Sequence, residues 1–277
     1  MPTARQSRTQ DEPAYVLHQY PWSEASLILE VFSRHHGRLA LMAKGVKRPS
    51  SQFRPVLLPL QPLRLGWGGD AEVRTLKTAQ WEGGHVMPAG EALLAGYYLN
   101  ELLLKLLARD DPHPRLFDHY AQAVAALAGG SAPQAAVLRA FELLLLRDAG
   151  FLPLLNEEGS SLARLQPARS YRLVPEGGLM AQSAAAVAPS LAGAEWLALQ
   201  QAMDASEVSQ AFSTLLAACA HLVQAGVPGN ALRNQLRALL HYHGGVQSFR
   251  TRQLMLEVQR LMPQPAHQPA PQPASLD

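Results

Sequence analysis

The spacing of apolar residues changes once along this chain, from strand-like to helical. Between Ala14 and Trp81 they fall in five short runs rich in β-branched, aromatic and aliphatic side chains: Ala14–Gln19, Ser26–Ser33, Arg38–Gly45, Leu57–Leu65 and Glu72–Trp81. Short runs of this composition predict strands. Their separators are turn-like: Tyr20-Pro21-Trp22-Ser23-Glu24, then His36-Gly37, where glycine can take the positive φ of a tight hairpin, then the loop Val46–Gln52 and Gly66-Trp67-Gly68-Gly69-Asp70. Pro59 and Pro62 place the fourth run at a barrel edge, because proline cannot donate to a ladder. Five short antiparallel strands in about 70 residues suit an OB-type barrel, although an SH3-like barrel has the same texture.

Beyond residue 84 the period is helical. Leu93, Leu94, Tyr97, Tyr98, Leu102, Leu103, Leu106 and Leu107 form one stripe within Pro88–Arg109, and Leu116–Leu127 and Gln134–Ala149 repeat it. Residues 152–193 are rich in Pro, Ser and Gly and contain one hairpin pattern, Tyr171–Leu179. Helical texture returns at Ala194–Met203, Glu207–Ala225, Ala231–Tyr242 and Arg250–Leu261. The expected class is α+β: an N-terminal five-stranded OB-type β-barrel (13–83), then an all-α domain (84–262) with a small hairpin inserted at 152–193. Residues 1–12 and the Pro/Gln/Ala tail 263–277 are expected to be disordered, since neither can bury enough apolar surface.

Charge sharpens this division. The formal net charge is +2, but residues 1–82 carry +4, residues 83–226 carry −5 and residues 227–277 carry +3. Basic ends around an acidic middle point to a polyanionic partner. The single cysteine, Cys219, lies in an apolar run, so no internal disulfide is possible and burial is expected. Neither a signal peptide nor an apolar span of membrane length is recognisable, which makes the expected location cytoplasmic, with no membrane partner.

The cations of the first domain are the main candidate chemistry. Arg34 and Arg38 flank the expected hairpin, Lys44, Lys47 and Arg48 follow the third strand, and Arg54, Arg74 and Lys77 lie further on. Point charges on a flexible loop, with Gly45 permitting close backbone approach, suit contact with strand phosphates. Solvation of an ordinary basic loop is the competing explanation. Trp22, Phe32, Phe53, Trp67 and Trp81 are candidate stacking partners, most of them better suited to packing, so little base preference is expected. A second basic patch, Arg233, Arg237, Arg250 and Arg252, lies on and between the last two helices, with Arg250 and Arg252 at a helix start that disfavours cations. Enzyme motifs are missing: His35-His36 and His241-Tyr242-His243 lack ligand spacing, and no P-loop, nucleophile elbow or Rossmann glycine pattern occurs. The expectation is no catalysis, no cofactor and no metal. The competing class is a protein-interaction adaptor whose barrel binds a peptide rather than DNA.

Several stretches taken in order resemble the RecO family of bacterial recombination mediators. They are Tyr20-Pro21-Trp22-Ser23-Glu24-Ala25-Ser26-Leu27, Gly37-Arg38 with Ala43-Lys44-Gly45, Leu99-Asn100-Glu101-Leu102, Arg139-Ala140-Phe141-Glu142-Leu143 ending at Gly150, the Tyr171–Gly178 hairpin, and Ser248-Phe249-Arg250-Thr251-Arg252. The resemblance spans residues 14–261 and implies an OB fold joined to a helical domain. It implies binding to single- and double-stranded DNA, annealing of complementary strands, and help in loading RecA onto DNA covered by single-stranded-DNA-binding protein (SSB). RecR is the implied partner, and RecA is engaged indirectly. The family also binds the acidic, Phe-ended SSB tail on its helical domain, which puts Arg139, Phe141 and Leu143 forward as a carboxylate and side-chain pocket. Many members carry four zinc-binding cysteines where this chain has Leu152–Arg172, with no cysteine. No zinc, and a looser loop over Asn156–Arg169, are expected.

Overall fold

The computed structural model describes residues 8–183, 190–205, 207–225, 230–245, 248–251, 253, 254 and 257. The N-terminal strands β1 (Arg8–Pro21), β2 (Leu27–Ser33), β3 (Gly37–Ala43), β4 (Leu63–Gly68) and β5 (Val73–Trp81) close a barrel in the order β1-β2-β3-β5-β4. Only β3 and β5 run parallel. β1 closes the barrel by pairing on both sides: Arg8↔Gly68 through Ala14↔Leu63 with β4, then Ala14↔Ser33 through Pro21↔Leu27 with β2. A register shift between Thr9 and Glu12, with Asp11 at φ 53°, bends the strand between these partners.

Two expectations change here. Residues 8–12 are not disordered but form the start of β1, which a backbone ladder can hold without apolar side chains. Residues 1–7 lie outside the described residues. The fourth strand begins at Leu63 rather than Leu57 and takes in Gly66-Trp67-Gly68, the expected turn. Trp67 is buried inside the barrel, and Gly66 leaves room for Thr78 on β5, where a Cβ would collide with its hydroxyl.

Inward residues Val16, Leu29, Val31, Leu39, Leu41, Leu63 and Leu65 fill the barrel with Trp67 and Leu76. Outward residues Tyr15, Leu17 and Phe32 belong instead to the core of the helical domain, where Tyr15 packs edge-on against Tyr120. One face of the barrel is therefore covered by helices.

That domain comprises α1 (Glu91–Leu106), α2 (Pro114–Gly129), α3 (Gln134–Asp148), α4 (Gly193–Met203), α5 (Val208–Gln224) and α6 (Ala231–Gly244). Almost every residue of α3 from Ala136 to Leu146 is buried, as befits a helix surrounded by the others. α1 is shorter than expected: Gly90 at φ 57° precedes it, and after Leu106 the chain extends alongside β3, where Asp110 N–H donates to the Arg38 carbonyl at 2.9 Å. The approach is so close that a Cβ on Gly37 (φ 68°) would overlap the Asp111 carbonyl.

β6 (Ser170–Val174), β7 (Gly178–Ala181) and β8 (Leu191–Ala192) make a small sheet in the order β7-β6-β8. Over residues 156–165 the segment before it is not the expected loose loop. Glu158 N–H donates to Ala163 O at 2.8 Å, Leu165 N–H to Asn156 O at 3.0 Å, and Gly159 N–H to Leu179 O at 2.9 Å. Residues 152–172 hold neither thiol nor imidazole, so they do not fit a zinc ion, and backbone hydrogen bonds hold the turn instead. The expected last helix begins at Arg250, where the Glu101 carboxylate accepts from the N–H groups of Arg250 (2.7 Å) and Thr251 (2.9 Å). That carboxylate offsets the cost of placing arginine at a helix start. Its remainder from residue 258, and the tail 263–277, lie outside the described residues.

Candidate nucleic-acid interface

The loop after β3 is built against the loop between β1 and β2. Lys47 N–H donates to Ala25 O at 3.0 Å, its ammonium to Ser23 O at 2.8 Å, and Gly45 N–H to the Ser26 hydroxyl at 3.3 Å. Arg48 N–H returns to Gly45 O at 3.1 Å, closing a turn that requires Gly45 at φ 69°. The result is one rim carrying Lys44, Lys47 and Arg48 beside Trp22, which is 64% exposed, and the half-exposed Tyr20.

Arg34, Arg38 and Arg74 are not part of that rim. Arg34 grips Asp118 of α2 with two hydrogen bonds, Nε to Oδ1 at 2.9 Å and Nη2 to Oδ2 at 2.8 Å, and this pairing raises its pKa. Arg38 is 16% exposed at its side chain; it meets Glu30 at 3.3 Å and donates to Leu107 O at 3.1 Å. Glu30 also binds Arg109, which reaches Glu72 at 2.7 Å, and Arg74 pairs with Asp110 at 2.7 Å. These ion pairs sit along the seam between barrel and helices.

Of the other barrel cations, Arg54 is exposed in the β3–β4 connection and Lys77 is exposed on β5. Lys44 and Lys77 lie two residues beyond the last β3–β5 pair, Met42↔Thr75, on strands running the same way. Lys77 lines a cleft with Arg8, Arg64, Thr78 and Gln80. Arg64 there meets Glu82 at 3.1 Å, whereas Lys44, Lys47, Arg48, Arg54 and Lys77 make no ion pair among the described residues. Arg8 was missed by the sequence reading because it lay in the segment expected to be disordered. Among the aromatic candidates Phe32 and Trp67 are buried, Phe53 is half-buried on the barrel core, and Trp22 and Trp81 are exposed.

In the helical domain Arg139 and Arg233 line one pocket with Leu191, Cys219, Leu222 and Leu232. Burial pushes the Cys219 thiol up to about 12, so it is an apolar wall there. Arg139 is 8% exposed and is paired with Glu142, yet its Nε has no hydrogen-bond partner among the described residues. Phe141 and Leu143 do not line this pocket. Both are fully buried: Phe141, two positions from Arg139 and so on the opposite side of α3, lies edge-on to Tyr120, while Leu143, one turn further along on the Arg139 side, packs in the helical core. Arg233 is exposed, Arg237 approaches His241 at 3.3 Å, and the Arg250 side chain is exposed where its backbone N–H donates to Glu101 of α1, so the second patch is spread out. Arg252 lies outside the described residues. His243 stacks on Phe151 at 4.4 Å, and no cluster of three or more His, Cys, Asp or Glu stands together among the described residues. No helix among them is long and apolar enough to cross a membrane.

Comparison with known proteins agrees with this layout. Residues 8–84 match the family described as Recombination protein O N terminal, and residues 87–227 match Recombination protein O C terminal. A protein called DNA repair protein RecO from Variovorax paradoxus (strain S110) is 60% identical over 259 residues, covering 92% of this chain and 98% of its own length. Its namesakes from Albidiferax ferrireducens and Delftia acidovorans are 58% identical over 255 residues and 57% over 266, covering 92% and 93% of this chain and 98% and 100% of their own.

Proposed function

Because the chain belongs to the RecO family of DNA repair proteins, we propose that it is a non-catalytic mediator that anneals complementary strands and helps load RecA onto SSB-coated single-stranded DNA. It binds single- and double-stranded DNA through the rim of the barrel and works with RecR, in the cytoplasm at the nucleoid. The observation that carries this reading is the rim itself: Lys44, Lys47 and Arg48 without carboxylate partners among the described residues, next to the exposed Trp22 and outside the helix-covered face. Cations contact backbone phosphates and release counterions, while exposed rings stack on bases without choosing among them. Neutralising charge on two strands at once lowers their repulsion, so annealing needs neither ATP nor a metal.

The SSB tail binds in the pocket of Arg139 and Arg233. Two guanidiniums suit a terminal carboxylate and acidic residues, and Leu191, Cys219 and Leu232 suit an apolar last side chain. A tail peptide should lose about tenfold in affinity in Arg233→Ala, the worth of one charge-assisted hydrogen bond. Unchanged peptide binding by calorimetry would remove the pocket from the reading. For the rim, strand binding and annealing are followed across a salt titration, and affinity independent of salt would sink the phosphate contact.

A further inference from the structure

We infer that a cleft beside the start of α2 binds a phosphate-sized anion, held by Arg115, Arg147 and the imidazole of His119. The cleft, of about 220 Å³, is lined by these residues with Leu144, Asp148 and Met203 and shares none of them with the rim or the tail pocket.

His119 supplies the main argument. It is 4% exposed, it lines the cleft, and its Nδ1 has no hydrogen-bond partner among the described residues. A buried polar nitrogen left unpaired is costly and uncommon, and an anion oxygen in the cleft is the acceptor that Nδ1–H lacks. Arg115 lies in the first turn of α2, which has no acidic residue and no side-chain cap, so the helix end is itself favourable to negative charge. Arg115 forms no ion pair among the described residues, and the neighbouring carboxylates are occupied. Asp148 is bonded by His113 at 2.6 Å, Asp118 by Arg34 at 2.8 Å and Asp204 by Arg147 at 3.0 Å. Arg147 also donates to Met203 O, which fixes its guanidinium at the cleft. Burial and then Arg115 push the His119 pKa down, so at neutral pH the imidazole donates a hydrogen bond while Arg115 supplies the charge.

The phosphate can belong to a strand backbone or to a free phosphate ester, and the site does not depend on the rim's function. Calorimetric titration of the full chain with inorganic phosphate should give saturable binding that weakens about tenfold or more in Arg115→Ala and in His119→Leu, each removing one partner of the anion. The His119 imidazole resonances should move on adding phosphate. Absence of saturable binding, or binding unchanged in Arg115→Ala, overturns the site. Arg115 is exposed and unpaired, so its variant tests the idea even if His119→Leu folds poorly. A short single strand that competes with phosphate and itself binds more weakly to Arg115→Ala identifies backbone phosphate as the source. Strand affinity unchanged alongside lost phosphate binding identifies a free phosphate group.

Discussion

The barrel uses its cations in opposite ways on its two sides. On the seam with the helices, Arg34, Arg38 and Arg74 face Asp118, Glu30 and Asp110, and Arg109 reaches back from the helical side to Glu30 and Glu72. On the rim, Lys47 bonds a backbone carbonyl, and Lys44, Lys47 and Arg48 make no ion pair among the described residues. A guanidinium paired with a carboxylate presents little net charge to a polyanion, and extracting it means exposing the carboxylate as well. The seam therefore holds two domains in one arrangement, and the rim keeps its charge for a partner.

The strongest break in this contrast is removal of Glu30, whose side chain is 5% exposed between Arg38 and Arg109. Glu30→Ala should destabilise the fold by about 4 kcal/mol in denaturant titration, because it leaves the largely buried Arg38 guanidinium without its carboxylate, whereas Arg109 keeps Glu72. Strand affinity per folded molecule should stay the same. A loss of affinity without loss of stability would transfer the seam to the binding surface.

Acid distinguishes the two sides next. The His119 pKa is pushed down from 6.5 to about 4, first by burial and then by Arg115. The fold thus prefers the neutral imidazole, and its stability is intact above pH 6.5 and is lost as pH falls towards about 4. The drop attributable to this residue is up to about 3 kcal/mol over that window. His119→Leu should flatten the slope. An equally steep slope in the variant would assign the acid sensitivity to other groups.

Third in size, glutamate at Lys44, Lys47 and Arg48 together should weaken strand binding by about a hundredfold and reduce the salt slope by about 3, one step per phosphate contact. Stability should fall by only about 1 kcal/mol, chiefly through the lost Lys47–Ser23 carbonyl bond. A large stability change with affinity intact would reverse the roles given to rim and seam.

This asymmetry was only partly legible in the sequence. Periodicity marked the barrel strands and the helices, because inward residues such as Leu29, Val31, Leu39 and Leu41 repeat at the spacing of a strand. The start of β1 at Arg8 left no such trace, since its hold on β4 is made by backbone groups. Trp67 was hidden by flanking glycines that signal a turn in isolation and a crowded strand crossing in the fold. The seam arginines could not be told from the rim lysines because Arg34 and its partner Asp118 are 84 residues apart. The pocket around Arg139 was half visible: the arginine was in view, but its apolar walls come from Leu191, Cys219 and Leu232 on three other segments.

The smallest effect separates the shape of the rim from its charge. Gly45 sits at φ 69°, and a Cβ there would come no nearer than 3.8 Å to its closest neighbour, the Arg48 side chain. Gly45→Ala therefore meets no steric obstacle, unlike the same exchange at Gly37 against the Asp111 carbonyl. Its cost is that of a left-handed conformation alone, about 1 kcal/mol by denaturant titration. The turn holding Arg48 N–H to Gly45 O loosens, but Lys44, Lys47 and Arg48 keep their charges. If the rim binds strands chiefly through counterion release, affinity should fall by less than about threefold and the salt slope should not change. A loss as large as that of the triple charge reversal would mean that the rim works by presenting a fixed backbone shape, and the open side of the barrel would then be as rigidly specified as the seam.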